Sequence, residues 1–294
     1  NTVLTSVANE LGIPSLFFNQ SFISNRCNIV DGFNKRFIWC RGYGDGLNHY
    51  NEYLKSFDNE DFTPTYIKNY FRISSRSLIL FFLLIYPKLI ARNLYASVVK
   101  KEMGLYLYNG RVGIEAGLQK SIDQLKSAMA LFSLKKLYFK HAVDDIEQGA
   151  IIFYGSYQPE ATSHPDGGDY PDIRYLVSHL SLEGKAIYYK EHPTMFNYEN
   201  GGWLSDFMRH RSWMYYQNLL NKGVKLINPY VSNRKLLSKA SAVVTISGTI
   251  ALEAAIMGVD SYVVGYPWYG NLPGIEKIDL NFKGLPMCLH SNRE

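Results

Sequence analysis

Between residues 243 and 259 the chain reads VVTISGTIALEAAIMGV. A β-branched apolar run breaks at Ser247-Gly248-Thr249 and turns at once into helix-favouring text. A strand that passes straight into a helix presents backbone N–H groups at the helix start, where the macrodipole also favours negative charge. Gly248 lets a ligand approach the backbone, the Ser247 and Thr249 hydroxyls donate to oxyanions, and Glu253 falls in about the second turn, facing whatever binds. The plainer alternative makes Ser247 or Thr249 a helix cap and leaves Glu253 solvated.

Three more runs carry polar chemistry at the ends of strand-like text. AIIFYG (150–155) is followed by SYQPEATSHPDGGDYPD, with Gln158, Glu160, Thr162, Ser163, His164 and Asp166. KAIYYKE (185–191) is followed by His192-Pro193; proline ends the strand, so His192 sits at its tip just past Lys190. SYVVGY (261–266) leads into PWYGNLPG, where Trp268 and Tyr269 are suited to stacking on a base or sugar ring. Each has a plainer role: strand terminator, packing aromatic, or turn. Together at one sheet edge they describe phosphate donors, a cationic or hydrogen-bonding His, a carboxylate for sugar hydroxyls and an aromatic platform, which is a nucleotide-sugar site.

The elements that must position them are regular from residue 150 onward. Strand-like runs at 150–155, 185–191, 224–228, 242–247 and 261–266 alternate with helical text near 171–182, 203–221, 233–240 and 249–257. Such alternation predicts βαβ units, a parallel sheet and a doubly wound α/β domain, whose ligands bind at the carboxyl ends of the strands. The first half reads differently: a strand at 13–18, a weaker one at 36–40, then mostly helical, tyrosine-rich text from about 48 to 147. GYGDG (42–46) reads as a loop. The expected division is a partial N-terminal part with a helical insertion over 1–148, which the family likeness described below makes the acceptor-side domain, and a nucleotide-sugar-binding domain over 149–294. The chain opens without Met inside what looks like an amphipathic helix, as expected of a fragment or processed form.

Composition sets bounds on partners. The 294 residues are 47% hydrophobic and 19% charged, ordinary for a soluble globular protein, and the net charge of +5 is too diffuse for duplex nucleic acid while suiting polyanionic ligands or an anionic membrane. Cys27, Cys40 and Cys288 lack zinc spacing and fit a reducing, cytoplasmic compartment. SLILFFLLIYPKLIA (77–91) is broken by Pro87 and Lys88, too short for a span of about 20 residues. With Arg72, Arg76, Lys88 and Arg92 around it, the text of 66–101 fits either a membrane-surface helix or a buried core helix. No Asp-x-Asp occurs, and Asp166, Asp169 and Asp172 lie in a Gly/Pro-rich turn that reads as a helix-capping loop, so no metal site is expected.

YQPEATSHPDGG, YYKEHPTMF, TISGTIALEAAIMGVDSYVVG and WYGNLPGI resemble the successive motifs of the bacterial capsule polysaccharide biosynthesis family, which includes Kdo transferases of GT-B fold. The likeness covers about 150–276, and ELGIPSLFF is similar to the family's text before its first-domain strand. It implies a GT-B-like α/β protein: a C-terminal doubly wound, Rossmann-like domain plus a partial, mostly helical acceptor domain. It implies a metal-independent glycosyltransferase, cytoplasmic or peripheral on the inner face of the membrane, that moves a sugar from a nucleotide-sugar donor to a growing polysaccharide or lipid-linked glycan. A wider similarity to bacterial sialyltransferases and teichoic-acid glycerophosphate polymerases favours a CMP-sugar. On this likeness His192, Ser247 and Thr249 contact donor phosphate and Glu253 the ribose or sugar. Lys190, Gly248 and Trp268 complete the donor set, Glu160 is the candidate base, and no cofactor is needed beyond the donor substrate. Many retaining GT-B enzymes carry a Glu eight residues before the helix Glu; here that position is Thr245, so their mechanism is not carried over. The alternatives are a sugar 2-epimerase or glycerophosphate transferase on the same fold, or a non-catalytic polysaccharide-binding module.

Overall fold

The computed structural model describes residues 7–8, 10–13, 16–20, 27–31, 36–37, 81–102, 107–108, 111–158, 172–181, 184–196, 211–265, 267, 269–270, 272–278 and 287–288. Its centre is a seven-stranded sheet of β1 (Ala142–Val143), β2 (Ala150–Tyr154), β3 (Ile187–Lys190), β4 (Lys225–Ile227), β5 (Ala240–Thr245), β6 (Asp260–Val263) and β7 (Ile275–Lys277). Their order is β1-β4-β3-β2-β5-β6-β7, and every neighbouring pair is parallel. Strands β2 to β7 thus follow the doubly wound order 3-2-1-4-5-6, with β1 added at one edge. The chain winds outward from β2 to β4, returns to the centre and winds the other way from β5. The reversal leaves a crevice at the carboxyl ends of β2 and β5, where ligands of such sheets bind.

Residues on both faces of β2, β3, β5 and β6 are buried, which explains why the text of these strands is largely apolar rather than alternating. Ile151 and Phe153 of β2 pack with Tyr189, Leu226 and Val244 under α3 (Ile173–His179) and α4 (Trp213–Asn221). Ala150, Ile152 and Tyr154 face the other way, with Tyr188, Ile227 and Val243, toward α5 (Asn233–Leu237) and α6 (Ile250–Ile256). Helix α4 begins where Ser212 accepts a hydrogen bond from Tyr215 N at 3.2 Å, so the helical text expected from 203 is helix from Trp213 within the described residues.

Upstream, α1 (Tyr86–Glu102) and α2 (Gly113–His141) form a hairpin whose tip pairs Leu107–Tyr108 with Arg111–Val112. The second half of α2 sends Ala128, Leu131, Leu134 and Tyr138 into the sheet core, joined by Leu89 of α1. Tyr138 Oη donates to Ile227 O at 2.8 Å and accepts from Glu191 N at 3.1 Å, tying α2 to two strands. The strand expected at 13–18 lies at Leu16–Gln20 and pairs with Cys27–Asp31, which in turn pairs with Arg36–Phe37. Cys27–Asp31, β1 and β7 were not expected from the sequence. Among the described residues no helix is long and apolar enough to cross a membrane.

Candidate functional site

The alternation of side chains along β3 divides its end between the two faces of the sheet. Tyr188 and Lys190 point toward α5 and α6, while Tyr189 and Glu191 point toward α2 and α4. Lys190 is buried, and its Nζ donates to Val231 O at 2.8 Å and Asn233 Oδ1 at 2.5 Å, 5.6 Å from the centre of the Tyr154 ring. Asn233 Nδ2 donates to Glu253 Oε2 at 3.3 Å. Burial pushes Lys190 down to about 7, opposed in part by the charge of Glu253. Burial likewise pushes Glu253 up to about 7, against the Asn233 hydrogen bond and the Lys190 charge. At the neighbouring end of β2, Tyr154 Oη and Ser156 Oγ are buried with no hydrogen-bond partner among the described residues. Native proteins leave few such atoms, and these two stand beside the crevice.

On the other face Glu191 and Arg211 form a fully buried ion pair, with Nε–Oε2 at 2.5 Å and Nη2–Oε1 at 3.1 Å. The Tyr189 and Tyr216 hydroxyls each donate to Glu191 Oε2 at 2.8 Å, and His192 N donates to Oε1 at 2.9 Å. Arg211 also donates to Gln158 Oε1 at 2.5 Å and Ser156 O at 3.1 Å. Burial raises the Glu191 carboxyl, yet the Arg211 charge and the hydrogen bonds outweigh it and hold the group below its usual range. The network clamps the segment after β2 to the segment after β3. Gly155 is required there, because a Cβ would lie 2.7 Å from Glu191 Oε1.

His192 sits at the tip of β3, as the Pro193 rule predicts, with its ring 5.7 Å from that of Tyr157. Burial lowers it to about 4; Glu191 opposes the shift, and the Lys190 and Arg211 charges reinforce it. Thr194 N donates to Nδ1 at 3.3 Å, which leaves Nε2–H as the free donor of a neutral ring. Of the two expected states, cationic or hydrogen-bonding, the environment selects the second. The β3 and β5 ends are two strand positions apart across β2, about 10 Å.

The Ser-Gly-Thr turn is built differently from the expectation of a row of free N–H groups. Thr245, at the end of β5, accepts from Gly248 N at 3.3 Å and donates to Tyr154 O at 3.4 Å. Ala251 N donates to Gly248 O at 3.2 Å, and Leu252 N and Glu253 N to Thr249 O at 3.0 and 3.2 Å. Thr249 occupies the N-cap position of α6 without a side-chain cap bond, and it is exposed; Ser247 is buried. The anchoring role thus falls to Thr245, and the Thr249 hydroxyl faces outward. Glu253 is half-buried and hydrogen-bonded to Asn233, not a solvated surface group. Tyr269 is buried in contact with the core and donates to Gly248 O at 2.5 Å, so it supports the turn and does not serve as a stacking platform. Glu160 and Trp268 lie outside the described residues.

The structure therefore joins Lys190 to Glu253 through Asn233 and sets Gly248 and Thr249 at the β5 end, two strand positions from the β3 end that carries Lys190 and His192. Sequence reasoning missed Asn233, Tyr154 and Ser156. Asn233 stood in PYVSN as ordinary helix-start chemistry, and nothing local marked it as a link. Asp172 pairs with Arg174, Oδ2 to Nη2 at 2.5 Å, while Asp166 and Asp169 lie outside the described residues. Among the described residues no three His, Cys, Asp or Glu side chains gather in a group able to hold a metal ion.

No protein-family model matches the chain, and no curated protein matches it in sequence. Among solved structures, the chain is similar to KpsC of Thermosulfurimonas dismutans, a β-Kdo 2,7 transferase, at 17% identity and a TM-score of 0.33, covering 58% of this chain and 52% of that one. It is also similar to the β-Kdo 2,4 transferase of KpsC from the same organism, at 15% identity and a TM-score of 0.34, covering 63% and 53%. The chain spans about half the length of these structures. The likeness is distant, and what the described residues establish is a mixed α/β protein with a seven-stranded parallel sheet, compatible with a Rossmann-like fold.

Proposed function

We propose that the chain is the donor-nucleotide portion of a glycosyltransferase that moves a sugar from a nucleotide-sugar, a CMP-sugar by preference, to a capsule or other surface polysaccharide. The reading is carried by the buried, unpartnered hydroxyls of Tyr154 and Ser156 at the β2 end of the doubly wound sheet, where the Tyr154 ring lies against Lys190 of the Lys190–Asn233–Glu253 chain. A ligand rich in hydroxyl and phosphate oxygens satisfies such groups, and perturbed titrating residues in a cleft are a common mark of a functional site. The motif resemblance of residues 150–276 supplies the sugar-transfer chemistry and the polysaccharide acceptor.

In the proposed reaction an acceptor hydroxyl oxygen attacks the anomeric carbon, the bond from that carbon to the donor phosphate oxygen breaks, and the acceptor proton passes to a base. Glu160 is assigned as that base. The Ser247 and Thr249 hydroxyls hold the phosphate, Gly248 lets it approach the turn, and His192 Nε2–H donates to it as charge grows there. Glu253 accepts from ribose or sugar hydroxyls with Lys190 beside it, and Trp268 stacks on the donor.

The test is a thermal-shift series with CMP, CDP, UDP and GDP, since a nucleotide at 100 times its Kd stabilises by about 2.7 kcal/mol. A shift with one nucleotide, followed by transfer of label from the matching sugar donor, supports the reading. Glycan binding without any nucleotide shift makes the chain a binding module, and transfer of glycerophosphate or epimerised product points to the rival enzymes.

A further inference from the structure

The α1–α2 hairpin is packed inside out over its sheet-distal half. Before α2 reaches the core at Ala128, its buried residues are Gly113, Ala116, Gly117, Ser121, Gln124 and Ser127, all small or polar. Their partners on α1 are polar too: Asn93 Nδ2 donates to Ser121 Oγ at 3.0 Å and Gln124 Oε1 at 2.8 Å. Ser97 packs so close to Gly117 that a Cβ there would lie 2.8 Å from Ser97 Oγ. The large apolar side chains face outward instead, with Tyr95 71%, Val112 62%, Ile114 56%, Leu118 48% and Ile122 45% exposed. Two helices in water ordinarily bury their apolar stripes against each other. Small residues and interhelical hydrogen bonds inside with apolar residues outside is the arrangement suited to helices whose surroundings are lipid.

Charge says which partner covers this face. Over the sheet-distal part of the hairpin, residues 92–127, there are six Lys and Arg against three Asp and Glu, a net of +3 out of the +5 of the whole chain. A second copy of the hairpin would set a net positive segment against its like. An anionic surface meets both the apolar side chains and the charge.

We propose that the sheet-distal half of the hairpin docks on an anionic lipid surface, its apolar outer residues entering the headgroup boundary and its Lys and Arg side chains meeting lipid phosphates. The reading is independent of the chemistry assigned to the crevice.

The test is co-sedimentation of the full chain with vesicles of phosphatidylcholine alone and of phosphatidylcholine mixed with phosphatidylglycerol. Binding to the mixed vesicles is expected to be roughly tenfold or more tighter, and to weaken as salt is raised. Leu118→Glu with Ile122→Glu should abolish it with little change in melting temperature, because both side chains are exposed. Should that pair fail to fold, Arg92→Glu with Lys126→Glu, also at exposed positions, should remove the preference for the anionic vesicles. Equal binding to both vesicles, no binding, or undiminished binding by folded variants would overturn the proposal. So would a dimer in sedimentation velocity that Leu118→Glu and Ile122→Glu dissociate.

Discussion

Lys190 and Glu253 are joined through a single amide: Asn233 accepts from the lysine at 2.5 Å and donates to the carboxylate at 3.3 Å. Burial brings both groups to about 7. Their protons are therefore coupled near neutrality, and the charge state of the crevice is sensitive to pH and to any ligand that touches either group.

Glu253 gives the first expectation. Its folded value is raised from 4.5 to about 7, so its contribution to stability is full below 4.5 and is lost as pH rises through 7. Lys190, lowered from 10.5 to about 7, acts in the opposite sense, with stability regained as pH rises from 7 toward 10.5. Urea unfolding of Glu253→Gln should lack about 2–3 kcal/mol of the wild-type decline between pH 4.5 and 7. Parallel curves for the two proteins would dismiss the buried carboxyl. The same variant should lose about 1.5–3 kcal/mol of nucleotide affinity by calorimetry if a charged hydrogen bond to donor is removed.

Tyr154→Phe separates a ligand-seeking hydroxyl from a structural one. The hydroxyl is buried without a partner, so its removal should leave the ligand-free protein equally stable or more stable by about 1 kcal/mol. Nucleotide affinity should fall at the same time. Loss of stability without loss of affinity would assign the group to the core.

His192 is expected to act as a neutral donor. Held at about 4, it carries no charge from pH 6 to 8, so its contribution to turnover should be flat over that range. His192→Ala should lower kcat roughly 10²-fold, the scale for removing one preorganised donor. On the proposed mechanism, in which hydroxyls and the imidazole N–H meet the departing phosphate, turnover should survive EDTA. Full activity in His192→Ala, or strict need for added Mg²⁺ or Mn²⁺, contradicts this assignment.

Arg211→Met leaves Glu191 buried without its cation, and should cost about 3–5 kcal/mol in chemical unfolding. Glu191 is held below its usual 4.5, so the stability it confers is present above that value and lost as pH falls through its folded value. Adding Glu191→Gln to Arg211→Met should recover part of the loss. A loss below about 1 kcal/mol for the single variant would mean that water reaches the pair.

The parallel sheet could be read from the sequence because strands covered on both faces are continuous apolar runs: AIIFY, IYYK and ASAVVT each stand out against helical text. Strands β1 and β7 did not, since two residues and the polar IEK make no run. The His192 tip was legible because Pro193 ends the strand for a local reason. The Glu191–Arg211 pair was not, because its members are 20 residues apart and only tertiary packing makes them partners. Tyr269 shows the converse error: beside prolines it looked free to stack, yet its hydroxyl is spent on Gly248 O.

The division of the β3 end between two faces has a folding consequence. Lys190 belongs to a neighbourhood containing Glu253, and Glu191 to one containing Arg211. A slip of β3 by one residue against its neighbours would exchange the two, setting ammonium against guanidinium on one side and carboxylate against carboxylate on the other. An apolar strand buried on both sides discriminates poorly between such alignments, since either offers oil to oil. Adjacent opposite charges at its end make the misaligned sheet repel itself, so the strand carries an electrostatic key to its own position.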